Sequence, residues 1–160
     1  MDRKPVLIVT CRSGNENWCE EEVGNVLFPQ DPEVRIVKTR FSGVLIVFSY
    51  LNPLDAYKTA LSREYGFVEH IIPVFLSAPL TELDDVIERI REIVNPGERV
   101  KLRVRVRGVR GISTTLWHKI RRVLASKNAI HDPSSNTCLF VEVIEDRIYV
   151  GKGWCKPSIS

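Results

Sequence analysis

The segment VKLRVRVRG, residues 100–108, alternates apolar and cationic residues more strictly than the rest of the chain. Its apolar positions are Val100, Leu102, Val104 and Val106, and its cationic positions are Lys101, Arg103, Arg105 and Arg107. Side chains two residues apart point to the same face of a strand. The pattern therefore predicts a strand that buries one face in a core and holds four cations about 6.5 to 7 Å apart on the other face.

A glycine-containing turn and a basic helix follow this strand. Gly108 and Gly111 flank the turn, and Ser113 is expected to cap the helix TTLWHKIRRVLASK. The apolar side of this helix is formed by Leu116, Ile120, Val123 and Leu124, and the residues that point away from it are His118, Lys119, Arg121 and Arg122. No acidic residue lies between Glu98 and Asp132, so the positive charge of this stretch has no local balance.

The charge of the whole chain shows the same asymmetry. Of the 160 residues, positions 1–98 carry 10 Lys/Arg against 16 Asp/Glu, or −6, and positions 99–160 carry 13 against 4, or +9. Such a split favours a polyanionic partner for the basic half. Arginine forks and a helix N-terminus both suit phosphate, and an indole can stack on an unpaired base. The predicted RNA-binding residues are Lys101, Arg103, Arg105, Arg107, Arg110, Ser113, Trp117, Lys119, Arg122 and Lys127.

The same residues also have purely structural interpretations. A basic strand face can be a solvated edge that discourages aggregation, or it can pair with the acidic helix at 82–92. Trp117 can be a partly buried core residue, and His118 and His131 are expected to be surface histidines. The run of acids at 20–22 is most simply a solvated helix face.

The first 76 residues alternate between strand and helix patterns. A covered strand is predicted for PVLIVT and a helix for GNENWCEEEVGNVLF. A hairpin is predicted for EVRIVKTRF and GVLIVFSY.

A second helix and a fourth strand follow the hairpin. Asn52 and Pro53 open the helix NPLDAYKTALSREYG, and Gly66 is expected to close it. The fourth strand is FVEHIIPVFL. The order βαββαβ predicts a ferredoxin-like domain over residues 1–76.

Pro73 and Pro79 bracket the expected boundary with a second domain over residues 77–160. An amphipathic helix, TELDDVIERIREIV, opens this domain with a pattern similar to a capping box. Two strands joined through Glu145 and Asp146 close it as a hairpin. The expected fold class is therefore α+β.

The four cysteines, at positions 11, 19, 138 and 155, form no C-x-x-C pair. They are expected to be reduced and structural. The charged composition weakly favours a hyperthermophilic source, for which a Cys11–Cys19 or a Cys138–Cys155 disulfide stays open.

Motifs for targeting and for enzyme chemistry are missing from the sequence. The apolar run near the start has six residues, too short for a signal peptide, and no stretch reaches the roughly 18 apolar residues of a membrane span. We expect a cytoplasmic protein without a membrane partner. There is no dinucleotide fingerprint, Walker loop, nucleophile elbow or His/Cys metal spacing. The sequence predicts binding, with no catalytic residue, metal site or cofactor.

The C-terminal half resembles a THUMP domain, the RNA-binding module of thiouridine synthases, RNA methylases and pseudouridine synthases. The resemblance covers about residues 77–155. It rests on the helix 81–94, KLRVRVRG, GISTTLWHKIRRVLA and HDPSSNTCLFVEVIEDRIYVG. The chain departs from the family at Ser134, where many members carry an acid.

The N-terminal half is similar to the stand-alone THUMP proteins that present tRNA to an RNA cytidine acetyltransferase. The similarity rests on VTCRSGNENWCEEEV, FSGVLIVFSYLNPLDAYKTAL and IIPV. It implies an adaptor without a catalytic site, which binds the acceptor stem and 3′ end of tRNA for a separate modifying enzyme. The resemblance places the basic surface at Arg103, Arg105, Arg107, Arg110, Ser113, Lys119 and Arg122.

Two other functions stay open. The segment VRVRGVRG before a helix is similar in outline to the phosphate loop of acylphosphatases. That family also needs an Arg soon after the loop, where this chain has Ile112 and Ser113, and a strand Asn that is not evident here. The other alternative is a protein-docking module that uses the −6 and +9 regions as its faces and has no RNA role.

Overall fold

In the computed structural model, which describes residues 3–156, the chain forms two compact units. Unit 1 extends to Val74 and unit 2 runs from Phe75 to Lys156. Each unit has its own sheet and its own apolar core. The division falls two residues before the predicted boundary. Residues 1–2 and 157–160 of the predicted domains lie outside the described residues.

The described part of unit 1 has four strands and two helices in the order βαββαβ. They are β1 (Lys4–Cys11), α1 (Glu16–Leu27), β2 (Arg35–Lys38), β3 (Val44–Ser49), α2 (Pro53–Leu61) and β4 (Val68–Pro73). The strand order in the sheet is β2-β3-β1-β4, and every neighbouring pair is antiparallel. This is the ferredoxin-like arrangement that the sequence predicts.

The second helix begins where the sequence predicts but ends earlier. The side chain of Asn52 accepts a hydrogen bond from the amide of Leu54 at 2.9 Å, which caps the start of α2. The expectation that Gly66 closes this helix is wrong, because α2 ends at Leu61. Two hydroxyl groups satisfy its last carbonyls instead. Ser62 Oγ donates to Thr59 O, and Tyr65 OH donates to Ala60 O, both at 2.6 Å.

Unit 2 is a five-stranded mixed sheet with two α-helices. Its elements are β5 (Leu76–Pro79), α3 (Leu83–Arg89), β6 (Arg99–Arg107), α4 (Ser113–Ser126), β7 (Ile130–His131), β8 (Thr137–Ile144) and β9 (Arg147–Trp154). The strand order is β5-β9-β8-β6-β7. β6 is parallel to β7 and β8, and the other pairs are antiparallel. The β8–β9 hairpin is confirmed.

The segment FVEHIIPVFL does not form a single strand, so that prediction is wrong. It splits into β4 and β5, which belong to different sheets. The amide of Val74 donates to Val6 O in unit 1 at 2.9 Å, and the amide of Phe75 donates to Val150 O in unit 2 at 2.8 Å. The chain therefore changes sheets between these two residues.

The predicted helix over residues 81–94 is also shorter than expected. α3 covers seven residues and has a 3₁₀ turn on each side, Leu80–Glu82 and Ile90–Glu92. Within the described part of the chain no side chain caps it, so the predicted capping box does not form. Its apolar positions still pack into the core of unit 2, so the helical periodicity correctly predicted which residues face the core.

A disulfide joins Cys138 and Cys155, whereas Cys11 and Cys19 are free and buried. The expectation of four reduced thiols is therefore wrong for Cys138 and Cys155. The hairpin register places Cys138 opposite Gly153, two residues before Cys155. Among residues 3–156, no helix combines the length and apolar character needed to cross a bilayer.

Candidate nucleic-acid interface

The strand β6 carries the core of unit 2 on one face and its cations on the other. Val100 and Leu102 are buried in the core that also contains Ile120 of α4. The odd-numbered residues of β6 project from the opposite face, in register with Phe140 and Glu142 of β8.

The sheet therefore separates the two halves of the basic stretch. Because α4 packs on the even-numbered face of β6, its outward side and the strand cations Arg103 and Arg105 lie on opposite sides of the sheet. The family resemblance assigned residues of the strand, the turn and the helix to one basic surface. In the structure they meet only around the edge of the sheet formed by β6 and the short β7.

This edge is open over most of its length. β7 pairs with Arg99 and Val100, and the amide of Leu102 then donates to Nδ1 of His131 at 3.0 Å. In a parallel ladder, alternate residues of a strand bond to the same neighbour. Among residues 3–156 no strand pairs with this edge beyond Leu102, so the amides of Val104 and Val106 face it. His131 is half-buried and hydrogen-bonded here, and is not the surface histidine that was expected.

The four cations of β6 have different surroundings. Arg103 and Arg105 are exposed and Lys101 is half-buried. Arg107 Nη1 lies 2.9 Å from Glu142 Oε1, with side chains 14% and 5% exposed. Arg107 therefore balances an acid on the neighbouring strand, which the local sequence does not reveal.

The charge state of Glu142 depends on two opposing effects. Burial raises the pKa of Glu142, and the guanidinium groups of Arg107, Arg105 and Arg103 oppose that rise without cancelling it. Glu142 is the one acid in strands β6, β8 and β9.

Two predicted helix cations are bonded to the α3 region. Lys119 Nζ forms an ion pair with Asp84, and Lys127 Nζ donates to Arg91 O at 2.8 Å. The pairing with the acidic helix that the sequence left open concerned the strand face, whereas here a cation of α4 makes the ion pair. Arg122 is exposed.

The start of α4 differs from the prediction that Ser113 caps it. Ser113 is the first helical residue and is exposed. Ile112 occupies the cap position, and its apolar side chain makes no capping hydrogen bond. The amide of Leu116 donates to Ile112 O at 2.9 Å, so the first turn of the helix begins one residue before the predicted cap at Ser113.

Trp117 is half-buried and packs against the core, as the structural interpretation held. Its ring meets His131 edge-on at a centroid distance of 5.2 Å, which places it beside the β6 edge. Arg121, one helical turn later, is exposed on the same side of α4 and was absent from the predicted set. The i, i+4 spacing from Trp117 is the signal that could have identified it.

We refer to the exposed and half-buried groups of this region as the β6 edge surface. It consists of Arg103, Arg105, Arg110, Trp117 and Arg121, with the amides of Val104 and Val106. Nothing in residues 3–156 groups three or more His, Cys, Asp or Glu side chains in an arrangement that could hold a metal ion. The arrangement offers charge and backbone donors to an anion.

No protein-family model and no curated protein matches this chain. Solved structures do match it. PH1313 from Pyrococcus horikoshii Ot3 superposes with a TM-score of 0.67 at 17% identity, over 97% of this chain and 56% of that one. TrmN from Thermus thermophilus gives a TM-score of 0.69 at 13% identity, over 98% and 47% of the two chains.

A 4-thiouridine synthetase, solved as an RNA complex with bound ATP, also matches, with a TM-score of 0.55 at 17% identity, over 96% of this chain and 41% of that one. The chain thus spans about half the length of these solved chains. These neighbours are THUMP-domain proteins, and the likeness shows that this chain shares their α+β fold, with a ferredoxin-like arrangement in unit 1.

Proposed function

We propose that this chain binds tRNA and holds it for chemical modification. The observation that carries the proposal is the β6 edge surface, where exposed arginines border an open strand edge. The fold is shared with TrmN and with a 4-thiouridine synthetase that was solved with RNA, which supports a nucleic acid as the anion.

The spacing of the groups suits a phosphodiester backbone. Arg103 and Arg105 stand about 6.5 to 7 Å apart on one face of β6, so they can bind successive phosphates. Arg110 and Arg121 extend the positive charge around the edge. These contacts carry little base information, so recognition depends on charge and on the shape of the folded RNA.

In this proposal the chain is a cytoplasmic, non-catalytic adaptor. It binds the acceptor stem and 3′ end of tRNA and presents the molecule to a separate modifying enzyme, of which an RNA cytidine acetyltransferase is the first candidate. The similarity of residues 1–76 to stand-alone THUMP proteins supports this assignment.

The proposal is tested by titrating deacylated tRNA against the wild type and Arg103→Glu/Arg105→Glu at two salt concentrations. We expect the wild type to bind with a strong salt dependence. The variant should bind at least about tenfold more weakly, with a salt slope lower by about 1.5 to 2 because two phosphate contacts are lost. Arg107 is left unchanged because its side chain is paired with Glu142. Arg105 lies opposite Glu142 in the strand register, so thermal melting checks that the variant is folded.

The matched control is Arg12→Glu/Arg63→Glu, which changes the net charge equally at exposed arginines of unit 1. It should bind nearly as well as the wild type. Equal losses in both variants would mean that only the overall charge matters, and no binding by the wild type would overturn the proposal. Phosphate release from an acyl phosphate by the wild type would favour the acylphosphatase alternative instead.

A further inference from the structure

Unit 1 has a second cluster of cations and aromatic rings, on the face of its sheet that does not carry the core. A surface pocket there is lined by Arg3, Arg35, Val37, Phe48 and Tyr50. Arg35 on β2 lies directly opposite Phe48 on β3. Cross-strand partners of this kind have Cβ atoms about 4.5 to 5.5 Å apart, so a guanidinium and a ring stand side by side.

A buried carboxylate holds one side of this pocket in place. Asp31, 5% exposed, accepts hydrogen bonds from Ser49 Oγ at 2.5 Å, from the amide of Tyr50 at 3.1 Å and from the amide of Glu33 at 3.0 Å. Glu33 O in turn accepts a hydrogen bond from Arg3 Nη1 at 2.8 Å. The backbone of Tyr50 and the guanidinium of Arg3 therefore each have a hydrogen-bond partner within the protein.

These groups match the two parts of a nucleotide. Arginine donates up to five hydrogen bonds, so Arg3 keeps donors beyond the one that it gives to Glu33. The side chain of Tyr50 is exposed, at 40%, and can stack on a base, while Arg35 is exposed and suits a phosphate. These hydrogen bonds and the charge of Arg3 keep Asp31 ionised, so Asp31 offsets part of the charge of Arg3 and Arg35 is the main cation for an anion.

We propose that this pocket binds one unpaired nucleotide of an RNA, with the base against Tyr50 and Phe48 and the phosphate on Arg35 and Arg3. The inference rests on the proposed function for the identity of the RNA. A shallow site with few groups holds a free mononucleotide poorly, but it adds usefully to an RNA that is already bound through the β6 edge surface. The expected ligand is therefore part of a longer RNA.

The test uses the full chain with three probes: deacylated tRNA, a single-stranded RNA hexamer and a nucleoside monophosphate. The variant Arg35→Ala/Tyr50→Ala removes one guanidinium and one ring, both exposed. We expect it to bind tRNA about tenfold more weakly than the wild type, since one stacked base and one phosphate contact are lost. Ultraviolet cross-linking of the hexamer to the wild type should map to Phe48 or Tyr50.

The matched control is Arg12→Ala/Phe28→Ala, which removes one exposed arginine and one exposed ring elsewhere in unit 1. It should bind like the wild type. If thermal melting shows that the double variant is unfolded, Arg35→Ala alone serves, with about a threefold loss expected. Unchanged tRNA affinity, or cross-links only outside the pocket, would overturn the inference.

The remaining outcomes separate the inference from the proposed function. If the pocket variant binds tRNA normally while Arg103→Glu/Arg105→Glu does not, the inference fails and the proposed function stands. If the wild type does not bind tRNA, the proposed function fails, and the hexamer cross-link decides the pocket by itself. A mononucleotide that binds as tightly as the hexamer would assign the pocket to a free nucleotide and overturn the RNA assignment.

Discussion

Arg107 shows how the surroundings of a single residue change the meaning of its charge. In the sequence it is one of four equivalent cations on a strand. In the structure it is mostly buried and paired with Glu142, while Arg103 and Arg105 are exposed. A buried pair of this kind stabilises less than its short distance suggests, because both charges lose water.

The pair makes a testable prediction about pH. Because burial raises the pKa of Glu142 above its ordinary value of 4.5, the folded protein holds this proton more tightly than the unfolded chain does. The stability from this group is therefore present below the ordinary pKa and is lost as the pH rises through the folded pKa. We expect the free energy of unfolding of the wild type, minus that of Glu142→Gln, to decrease as the pH rises above 4.5.

Urea denaturation across that range measures the difference. Glu21→Gln, on the exposed part of α1, controls for the loss of one negative charge. If the free energy of unfolding of the wild type, minus that of Glu142→Gln, increased with pH, the ion pair with Arg107 would outweigh the effect of burial on the pKa of Glu142.

At the scale of elements, one carboxylate ties α1 to the loop before β4. Glu22 accepts hydrogen bonds from the amides of Gly66, Phe67 and Val68 at 2.5, 2.8 and 3.2 Å. The ring of Phe67 also stacks on Trp18 of α1 at a centroid distance of 5.5 Å. The interpretation of the acidic run as a solvated helix face is therefore wrong for Glu22.

Removing this carboxylate should loosen the loop. We expect Glu22→Ala to lower the free energy of unfolding by about 2 kcal/mol, because three amides lose a charged acceptor. The neighbouring Glu21→Ala, at an exposed position, should change it by less than about 0.5 kcal/mol. Urea denaturation compares the two variants, and equal effects would contradict the assigned role.

At the scale of the whole molecule, the charge divides differently from the sequence count. Residues 1–74 carry 8 Lys/Arg against 10 Asp/Glu, or −2, and residues 75–156 carry 15 against 10, or +5. The acids of α3 belong to the same unit as the basic strand, so the −6 and +9 regions are not separate faces. Net charge is thus a weaker guide to the partner than the exposed side chains of the β6 edge surface.

If both proposed surfaces contact the same tRNA, their contributions should be independent, because they belong to separate cores. We expect the variant that combines Arg103→Glu/Arg105→Glu with Arg35→Ala/Tyr50→Ala to lose the product of the two separate losses in affinity, within about a factor of two. The fluorescence titration of tRNA measures all four proteins. A combined loss no larger than that of either pair would show that the two surfaces do not act on the same complex.

The sequence by itself determined much of the fold. Period-two alternation predicted β6 and the β8–β9 hairpin, and the βαββαβ order predicted the arrangement of unit 1, because these patterns are set by local backbone geometry and by burial of one face. The Asn52 cap and the apolar face of α4 are local in the same sense.

Only the tertiary structure decided which cations are available to a ligand. Glu142 lies 35 residues from Arg107 along the chain, and Asp84 lies the same distance from Lys119, so no local window could pair them. The edge of β6 is open because the short strand β7 covers only its start. That pairing joins Arg99 to Ile130, which are also far apart in the sequence. A cation is neutralised by the acid that the fold places beside it, and a strand edge is covered by the strand that pairs with it. Both neighbours are set by the packing of segments that are distant in sequence.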